Sequence, residues 1–309
     1  MQITPMILSN TLLQNIQNQE SQISQLQQEV STGQTFQVPS DNPIAAENAL
    51  GLNNALSQIQ TYTSSAQSAQ GWLNQSSGVL SNMISLWDQA IQIATQAANS
   101  TNNASDLSAM AQTVSGIQKN FGQLLNTQYE GQYLFSGYQN GTAPITVASG
   151  TALVASGTTP NTVMSSTAGN ALKFEINSGA TVTVNLTGWE SVGQTGNYFV
   201  NAYNDLGNLV TALTTGSPAL QTVAQNLQND LSKLTSAQSL VGGRLARVQN
   251  TLTQLGNAST DISQSLSNVA SANMAQVTTQ LAQEEDSYQA ALQSGSKILS
   301  LSLLNFINP

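Results

Sequence analysis

Apolar residues recur at alternating steps of three and four along most of this chain, the spacing of a helix that buries one narrow stripe. The first stripe consists of Leu12, Ile16, Ile23, Leu26 and Val30. A second one continues to Ala94, and no proline occurs from Ile44 through Ala98. This pattern predicts one helix of more than 50 residues and, before it, a shorter helix that needs a partner to cover its stripe.

The last segment of the chain offers that partner. Its predicted seam consists of Met274, Val277, Leu281, Tyr288 and Ala291, with Leu292, Leu299 and Leu303 beside it. The first and last segments are therefore expected to form a two-helix coiled coil. Leu8 and Leu13 add more apolar surface than one pair of helices can bury, so the seam is also expected to contact neighbouring copies of the chain.

An ordered corner is predicted between the first helix and the long one. Its positions are Gly33, Phe36, Val38, Pro39, Asp41 and Pro43. Gly33 fits a left-handed helix end, and Asn42 followed by Pro43 fits an N-cap with proline at the first helical position. The apolar residues of the corner are expected to anchor a packed bend.

The middle of the chain predicts a return helix, a β region and further helix. Ser105 is the expected cap of the return helix, and residues 129–138 form the densest aromatic cluster, expected to be a packed junction. Strand signals fill residues 140–195, where Trp189 is expected to plug a small core. Helix resumes near Tyr198, breaks at residues 215–218 and restarts with Ser217 as the expected cap and Pro218 at the first helical position.

Two glycines and two arginines lie together in the helix that follows. Gly242 and Gly243 weaken a helix, which favours a close backbone approach to a neighbouring helix at this point. Arg244 and Arg247 are the only arginines of the chain. Ion pairs with acidic residues of the same or an adjacent subunit, and solvated arginines, are equally open interpretations.

Together these elements predict a mainly α fold. It is an elongated antiparallel helical rod or coiled coil formed by the N- and C-terminal segments, with a small inserted β domain. The expected division is a terminal coiled-coil domain of residues 1–40 and 270–309, a helical rod domain of 41–138 and 196–269, and a β domain of 139–195.

Composition restricts the chemistry. The 309 residues include no Cys and no His, with 6 Lys and Arg against 15 Asp and Glu and a net charge of −9. Thiolate and imidazole catalysis are thereby excluded, and nucleic-acid binding is disfavoured. The run Glu284, Glu285 and Asp286 diverges around a helix, so no catalytic, cofactor or metal residue is predicted. No cleaved signal peptide and no membrane-spanning run is evident in the sequence.

Three short motifs carry a family resemblance. Ser31-Thr32-Gly33-Gln34 with Pro39-Ser40-Asp41-Asn42-Pro43 resembles the signature near the start of bacterial flagellins and flagellar hook-associated proteins. The run Gly131-Gln132-Tyr133-Leu134-Phe135-Ser136-Gly137 and the ending Asn305-Phe306-Ile307 are similar to the hook-filament junction branch of that family.

The resemblance implies a function and partners. It implies a structural, non-enzymatic protein that is exported through the flagellar type III channel with the help of a chaperone and without a cleaved signal. Copies of it would form a ring outside the cell between the hook-side junction protein, hook-associated protein 1, and the flagellin filament. A flagellin and a type III-secreted translocator or adhesin are the alternative interpretations; the absence of long apolar runs disfavours membrane insertion.

Overall fold

The computed structural model describes most of the chain. The described residues are 5–98, 102–136, 141, 143–144, 146–147, 153–154, 172–186 and 198–307. Within these ranges, only the backbone is described for residues 5–9, 146–147, 153–154, 198, 200 and 298–307. Six helices are present in these ranges: α1 Pro5–Thr32, α2 Pro43–Ala97, α3 Ala104–Leu125, α4 Tyr198–Thr215, α5 Leu220–Ala270 and α6 Met274–Ile307. The predicted mainly helical fold is confirmed, including the long helix, which is 55 residues long.

Three antiparallel hairpins supplement the helices among the described residues. Their strands are β1 Gln128–Tyr129, β2 Gln132–Tyr133, β3 Thr146–Val147, β4 Leu153–Val154, β5 Lys173–Asn177 and β6 Ala180–Thr183. In the longest hairpin, Phe174 pairs with Val182, and Val182 is buried. This hairpin lies within residues 140–195, where strands were expected from the sequence, whereas Trp189 lies outside the described residues.

The chain divides into two compact units. The terminal unit comprises Met1–Gln58 and Ala258–Pro309, and the central unit comprises Ile59–Asn257. Helices α2 and α5 contribute residues to both. The three-part division expected from the sequence remains a prediction. None of the helices, over the residues described, has the length and apolar character that a membrane crossing requires.

Aromatic side chains form the centre of the central unit. Trp87 of α2 is fully buried, its ring centroid lies 5.2 Å from that of Phe121 of α3, and its indole Nε1 donates a 2.7 Å hydrogen bond to the carbonyl of Leu227 in α5. Phe135, from the predicted aromatic cluster, lies 5.1 Å from Phe199 of α4. The apolar stripes of four helices thus meet in one core.

The start of α3 corrects one sequence-based expectation. Asn103, not Ser105, is the N-cap, because its side-chain oxygen accepts a 2.9 Å hydrogen bond from the backbone N–H of Asp106. The Asp106 carboxylate accepts from the Asn103 N–H in return, which completes a capping box. Asparagine is as good an N-cap residue as serine. Here Asp106, three residues after Asn103, returns a hydrogen bond to it and so favours Asn103 as the cap.

The glycines show where helices approach other groups closely. A Cβ at Gly71 would collide with the Tyr129 hydroxyl, and the Tyr129 ring packs edge-on against Trp72 at 5.9 Å. At Gly242 and Gly243, in contrast, an added Cβ would meet no atom of the described chain within 4 Å. The close approach expected there from the sequence was wrong within this chain.

Helices α4 and α5 form an antiparallel hairpin around a tight turn. Gly216 has φ +60°, a left-handed conformation that ends α4, and the Ser217 hydroxyl accepts a 3.2 Å hydrogen bond from the N–H of Ala219. The predicted break is therefore confirmed. The expectation that Pro218 is the first helical residue was wrong, because Pro218 lies in the turn and α5 begins at Leu220.

Candidate assembly surface of the terminal helices

Helices α1 and α6 pack against each other in the terminal unit. At one end, the N–H of Ala272 donates a 2.8 Å hydrogen bond to the carbonyl of Gly33. At the other end, Leu12 packs against Gly295. Residue numbers therefore rise along one helix as they fall along the other, and the predicted pairing of the first and last segments is antiparallel.

All five predicted seam residues of α1 are half-buried in this pair. They are Leu12, Ile16, Ile23, Leu26 and Val30, and they alternate with exposed residues. Gln19 occupies the seam position three residues after Ile16 and four before Ile23. Its Oε1 is buried without a hydrogen-bond partner in the part of the chain that the structure describes. A buried, unsatisfied amide weakens a seam but helps to fix its register.

The predicted seam residues of α6 fall into two groups. Val277 is buried, and Leu281, Tyr288 and Ala291 are half-buried. Met274 and Leu292 keep 41% and 45% of their surface exposed, so they lie mostly outside the α1–α6 contact. The side chains of Leu299 and Leu303 are outside the described residues. Participation of these residues in contacts between subunits remains a prediction.

Gly295 is a contact residue that the sequence analysis missed. It is buried, and a Cβ added to it would lie 2.7 Å from Cδ2 of Leu12. Gly295 lies seven residues after Tyr288, so the heptad spacing places it on the seam. Because Gly295 has no side chain, α1 and α6 can approach each other closely near Leu12.

The corner between α1 and α2 is held by hydrogen bonds. Gly33 has φ +69°, as predicted for a left-handed helix end, and Asn42 Oδ1 accepts a 3.1 Å bond from the N–H of Ala45, as predicted for an N-cap. Asp41 Oδ2 accepts from the N–H groups of Gln37 and Val38, both at 3.2 Å. Pro43 is the first residue of α2.

A short bridge attaches this corner to the turn between α5 and α6. Gln34 pairs with Ser271, and the N–H of Thr35 donates a 2.9 Å hydrogen bond to the carbonyl of Ala270. Phe36 is half-buried, whereas Val38 and Pro39 are exposed. The expectation that Val38 and Pro39 anchor the bend was therefore wrong; the backbone hydrogen bonds and Asp41 hold it.

Large apolar side chains remain in contact with water on the terminal unit. Leu13 is 54% exposed on α1, and Ile44 is 75% exposed at the start of α2. With Leu292 they give exposed apolar surface on three helices of this unit. These side chains are available for contact with another molecule.

The charged residues singled out in the sequence do not converge on a site. Glu284 is half-buried beside exposed Glu285 and Asp286, and no group of three or more acidic, His or Cys residues that could hold a metal occurs among the described residues. Arg244 Nη1 donates a 3.1 Å hydrogen bond to the carbonyl of Asn185, and Arg247 is exposed. Ion pairing of these arginines remains a prediction.

Gly295→Val is expected to push α1 and α6 apart near Leu12. The added methyl groups overlap Leu12, and overpacking of this kind costs about 1–3 kcal/mol. Hydrogen exchange should show faster exchange of amides in residues 10–20 and 288–297. Gly242→Val, which meets no neighbouring atom, is the matched control. Leu12→Ala in the Gly295→Val background should restore protection; unchanged protection in the single variant would contradict this role for Gly295.

Comparisons with known proteins agree with this arrangement. Residues 3–140 match the family model of the bacterial flagellin N-terminal helical region. Flagellar hook-associated protein 3 of Salmonella typhimurium is 29% identical over 151 residues, which cover 48% of this chain and 48% of that protein. The match thus spans about half the length of this curated relative.

Solved structures share the fold. A putative flagellar hook-associated protein from Vibrio parahaemolyticus superposes with a TM-score of 0.63 at 21% identity, covering 75% of this chain and 100% of that one. The flagellar junction protein FlgL from Legionella pneumophila gives a TM-score of 0.51 at 16% identity, with coverage of 73% and 100%. Residues 3–140 of this chain are thus similar to the bacterial flagellin N-terminal helical region, and the solved structures show that it shares the fold of flagellar hook-associated proteins.

Proposed function

We propose that this chain is a hook-filament junction protein, a structural component of the bacterial flagellum and not an enzyme. One observation carries the proposal: a chain with the flagellin N-terminal region pairs its first helix with its last and leaves Leu13 and Leu292 exposed on that pair. The exposed side chains are then covered by neighbouring copies when the terminal helices assemble.

Composition supports an assembly of this kind. Glutamine, asparagine, serine and threonine provide most polar positions of α1 and α6, and α1 carries only two charged side chains, Glu20 and Glu29. Neighbouring copies can therefore bring these faces together with little like-charge repulsion. The ordered corner between α1 and α2 also belongs to the terminal unit, and its hydrogen bonds fix how the start of α2 follows α1.

The proposed partners are flagellar components. Copies of the chain form a ring that contacts hook-associated protein 1 on the hook side and flagellin on the filament side. A dedicated export chaperone binds the chain before its secretion through the type III channel, and the working location is the extracellular flagellum. The relatives described as hook-associated protein 3 and as a flagellar junction protein support this placement.

Deletion of the gene in the flagellated bacterium that carries it is the direct test. The expected result is cells with hooks but no filaments, and flagellin in the culture medium. The wild-type gene should restore filaments and Gly295→Val should not, whereas Leu12→Ala/Gly295→Val should restore them in part. Electron microscopy of cells and immunoblots of flagellin in medium and cell fractions measure these outcomes.

The same experiment separates the junction protein from a filament subunit. If the chain were a flagellin, the purified protein would polymerise by itself into long filaments, and the deletion would remove the filament protein from the medium as well. Normal filaments in the deletion strain would overturn both assignments. A retained filament with loss of host-cell adhesion or membrane insertion would instead identify an adhesin or a translocator.

A further inference from the structure

Two consecutive helices of the central unit carry the same arrangement of polar residues. The residues are Asn201, Asn204, Asp205 and Asn208 on α4, and Asn226, Asn229, Asp230 and Lys233 on α5. Both sets follow the spacing i, i+3, i+4, i+7, which places each set on one face of its helix. The proposed assembly function makes no use of either face.

These two faces line one pocket. It has a volume of about 250 Å³, is open to solvent, and is lined by seven of the eight residues of the two sets, with Asn208 just outside. It is lined by one carboxylate from each helix, that of Asp205 from α4 and that of Asp230 from α5. Asn208 Nδ2 donates a 3.0 Å hydrogen bond to Oδ1 of Asp205, which orients that carboxylate.

Asp230 is the unusual member of the pocket. It is only 2% exposed, and its Oδ1 accepts a 3.0 Å hydrogen bond from Nζ of Lys233. Its Oδ2 is also buried and receives no hydrogen bond in the part of the chain that the structure describes. A buried carboxylate oxygen without a donor is costly, and an acceptor such as Asp205 beside it raises the cost.

The charge of the pocket is unbalanced. Two carboxylates share one ammonium group, that of Lys233, so a negative charge remains when both are ionised. A further positive charge next to the buried Oδ2 of Asp230 would stabilise the carboxylate form of this side chain.

We propose that this pocket binds a hard divalent cation of the calcium type, with the carboxylates of Asp205 and Asp230 as its anionic ligands. The exposed amide oxygens of Asn201, Asn204 and Asn229, and water, provide the neutral ligands. An all-oxygen set without His or Cys is the kind that Ca²⁺ prefers over transition metals. With two carboxylates and a competing lysine, a dissociation constant on the order of 10⁻⁴–10⁻³ M is expected.

The test is thermal unfolding of the full-length chain with and without calcium. At pH 7.5, CaCl₂ at roughly ten times the expected dissociation constant should raise the midpoint above that in EDTA, because the ion binds only the folded state. NaCl at matched ionic strength should not raise it. Isothermal titration calorimetry gives the affinity independently of unfolding.

Three variants locate the effect. Asp205→Asn, which keeps the size of a half-buried side chain, should abolish the calcium-induced shift, and Asp88→Asn, at an exposed position on α2, should leave it unchanged. Lys233→Met removes the competing charge and should lower the calcium concentration needed for half-saturation several-fold. Circular dichroism verifies that each variant is folded.

Other outcomes would overturn the proposal. A midpoint that CaCl₂ does not change in the wild-type chain, or a shift that Asp205→Asn retains, excludes the pocket as a calcium site. An unfolding midpoint that is insensitive to CaCl₂ but raised by acid would overturn the calcium proposal, because it would show that a proton shared by the two carboxyl groups, and not a cation, stabilises the pocket. None of these results bears on the proposed junction function, which the deletion experiment tests separately.

Discussion

Replacing Trp87 by alanine is expected to lower the free energy of unfolding of the central unit by about 4 kcal/mol, the usual cost of emptying the site of a buried aromatic ring. The indole is fully buried, packs 5.2 Å from Phe121, and bonds the Leu227 carbonyl at 2.7 Å. It therefore joins α2 to both α3 and α5. Urea denaturation followed by circular dichroism measures the loss.

Two further variants separate the parts of this effect. Trp87→Phe keeps most of the buried ring but loses the hydrogen bond, so its cost should be smaller, about 1–2 kcal/mol. Gln89→Ala, at an exposed position on the same helix, should change stability by less than about 0.5 kcal/mol. A cost below about 2 kcal/mol for Trp87→Ala would mean that the core closes around the vacated space.

The sequence was sufficient where one local rule decides the structure. The three-four spacing at Ile16, Ile23 and Val30 predicted the half-buried face of α1, because the period of a helix alone fixes which residues share a face. Gly33 and Asn42 were identified as helix ends for a similar reason. Each needs only its own backbone conformation or a hydrogen bond three residues away, both of which are properties of short segments.

Contacts between distant segments could not be predicted in the same way. The hydrogen bonds that join Gln34 and Thr35 to the α5–α6 turn connect residues more than 230 positions apart. Close approach was expected at Gly242 and is found at Gly295, since a glycine in a helix does not indicate which neighbour faces it. Val38 and Pro39 are apolar yet exposed, because Asp41 and the backbone already hold the corner.

The candidate sites show the same difference. The seam of the assembly surface follows from periodicity, and the family motifs directed attention to it, but the exposure of Leu13 and Leu292 depends on how α1 and α6 face each other. Asp205 and Asp230 are 25 residues apart and match no metal-binding motif, so their proximity becomes visible only when α4 and α5 fold back on each other. The turn between α4 and α5 brings these two residues into one pocket, whereas the sequence shows only the polar face of each helix separately.

The stability of the central unit is expected to fall as the pH rises from 4 to 7 in the presence of EDTA, because of Asp230. Burial, the largest cause, raises the pKa of this carboxyl from 3.8 to about 6. Below pH 4 the group is protonated in the folded and unfolded chains alike, so its ionisation costs nothing. Between pH 4 and 6 only the unfolded chain loses the proton, and unfolding becomes easier.

The size of the effect follows from the difference between the two pKa values. At 1.36 kcal/mol for each pH unit, it amounts to about 3 kcal/mol above pH 6. Other acidic groups also titrate, so the measured quantity is the difference in unfolding free energy between the wild-type chain and Asp230→Asn. It should shift by about 3 kcal/mol in favour of the variant from pH 4 to pH 7. Asp88→Asn controls for the loss of one negative charge, and a flat difference for Asp230→Asn would mean that Lys233 compensates fully for the burial of Asp230.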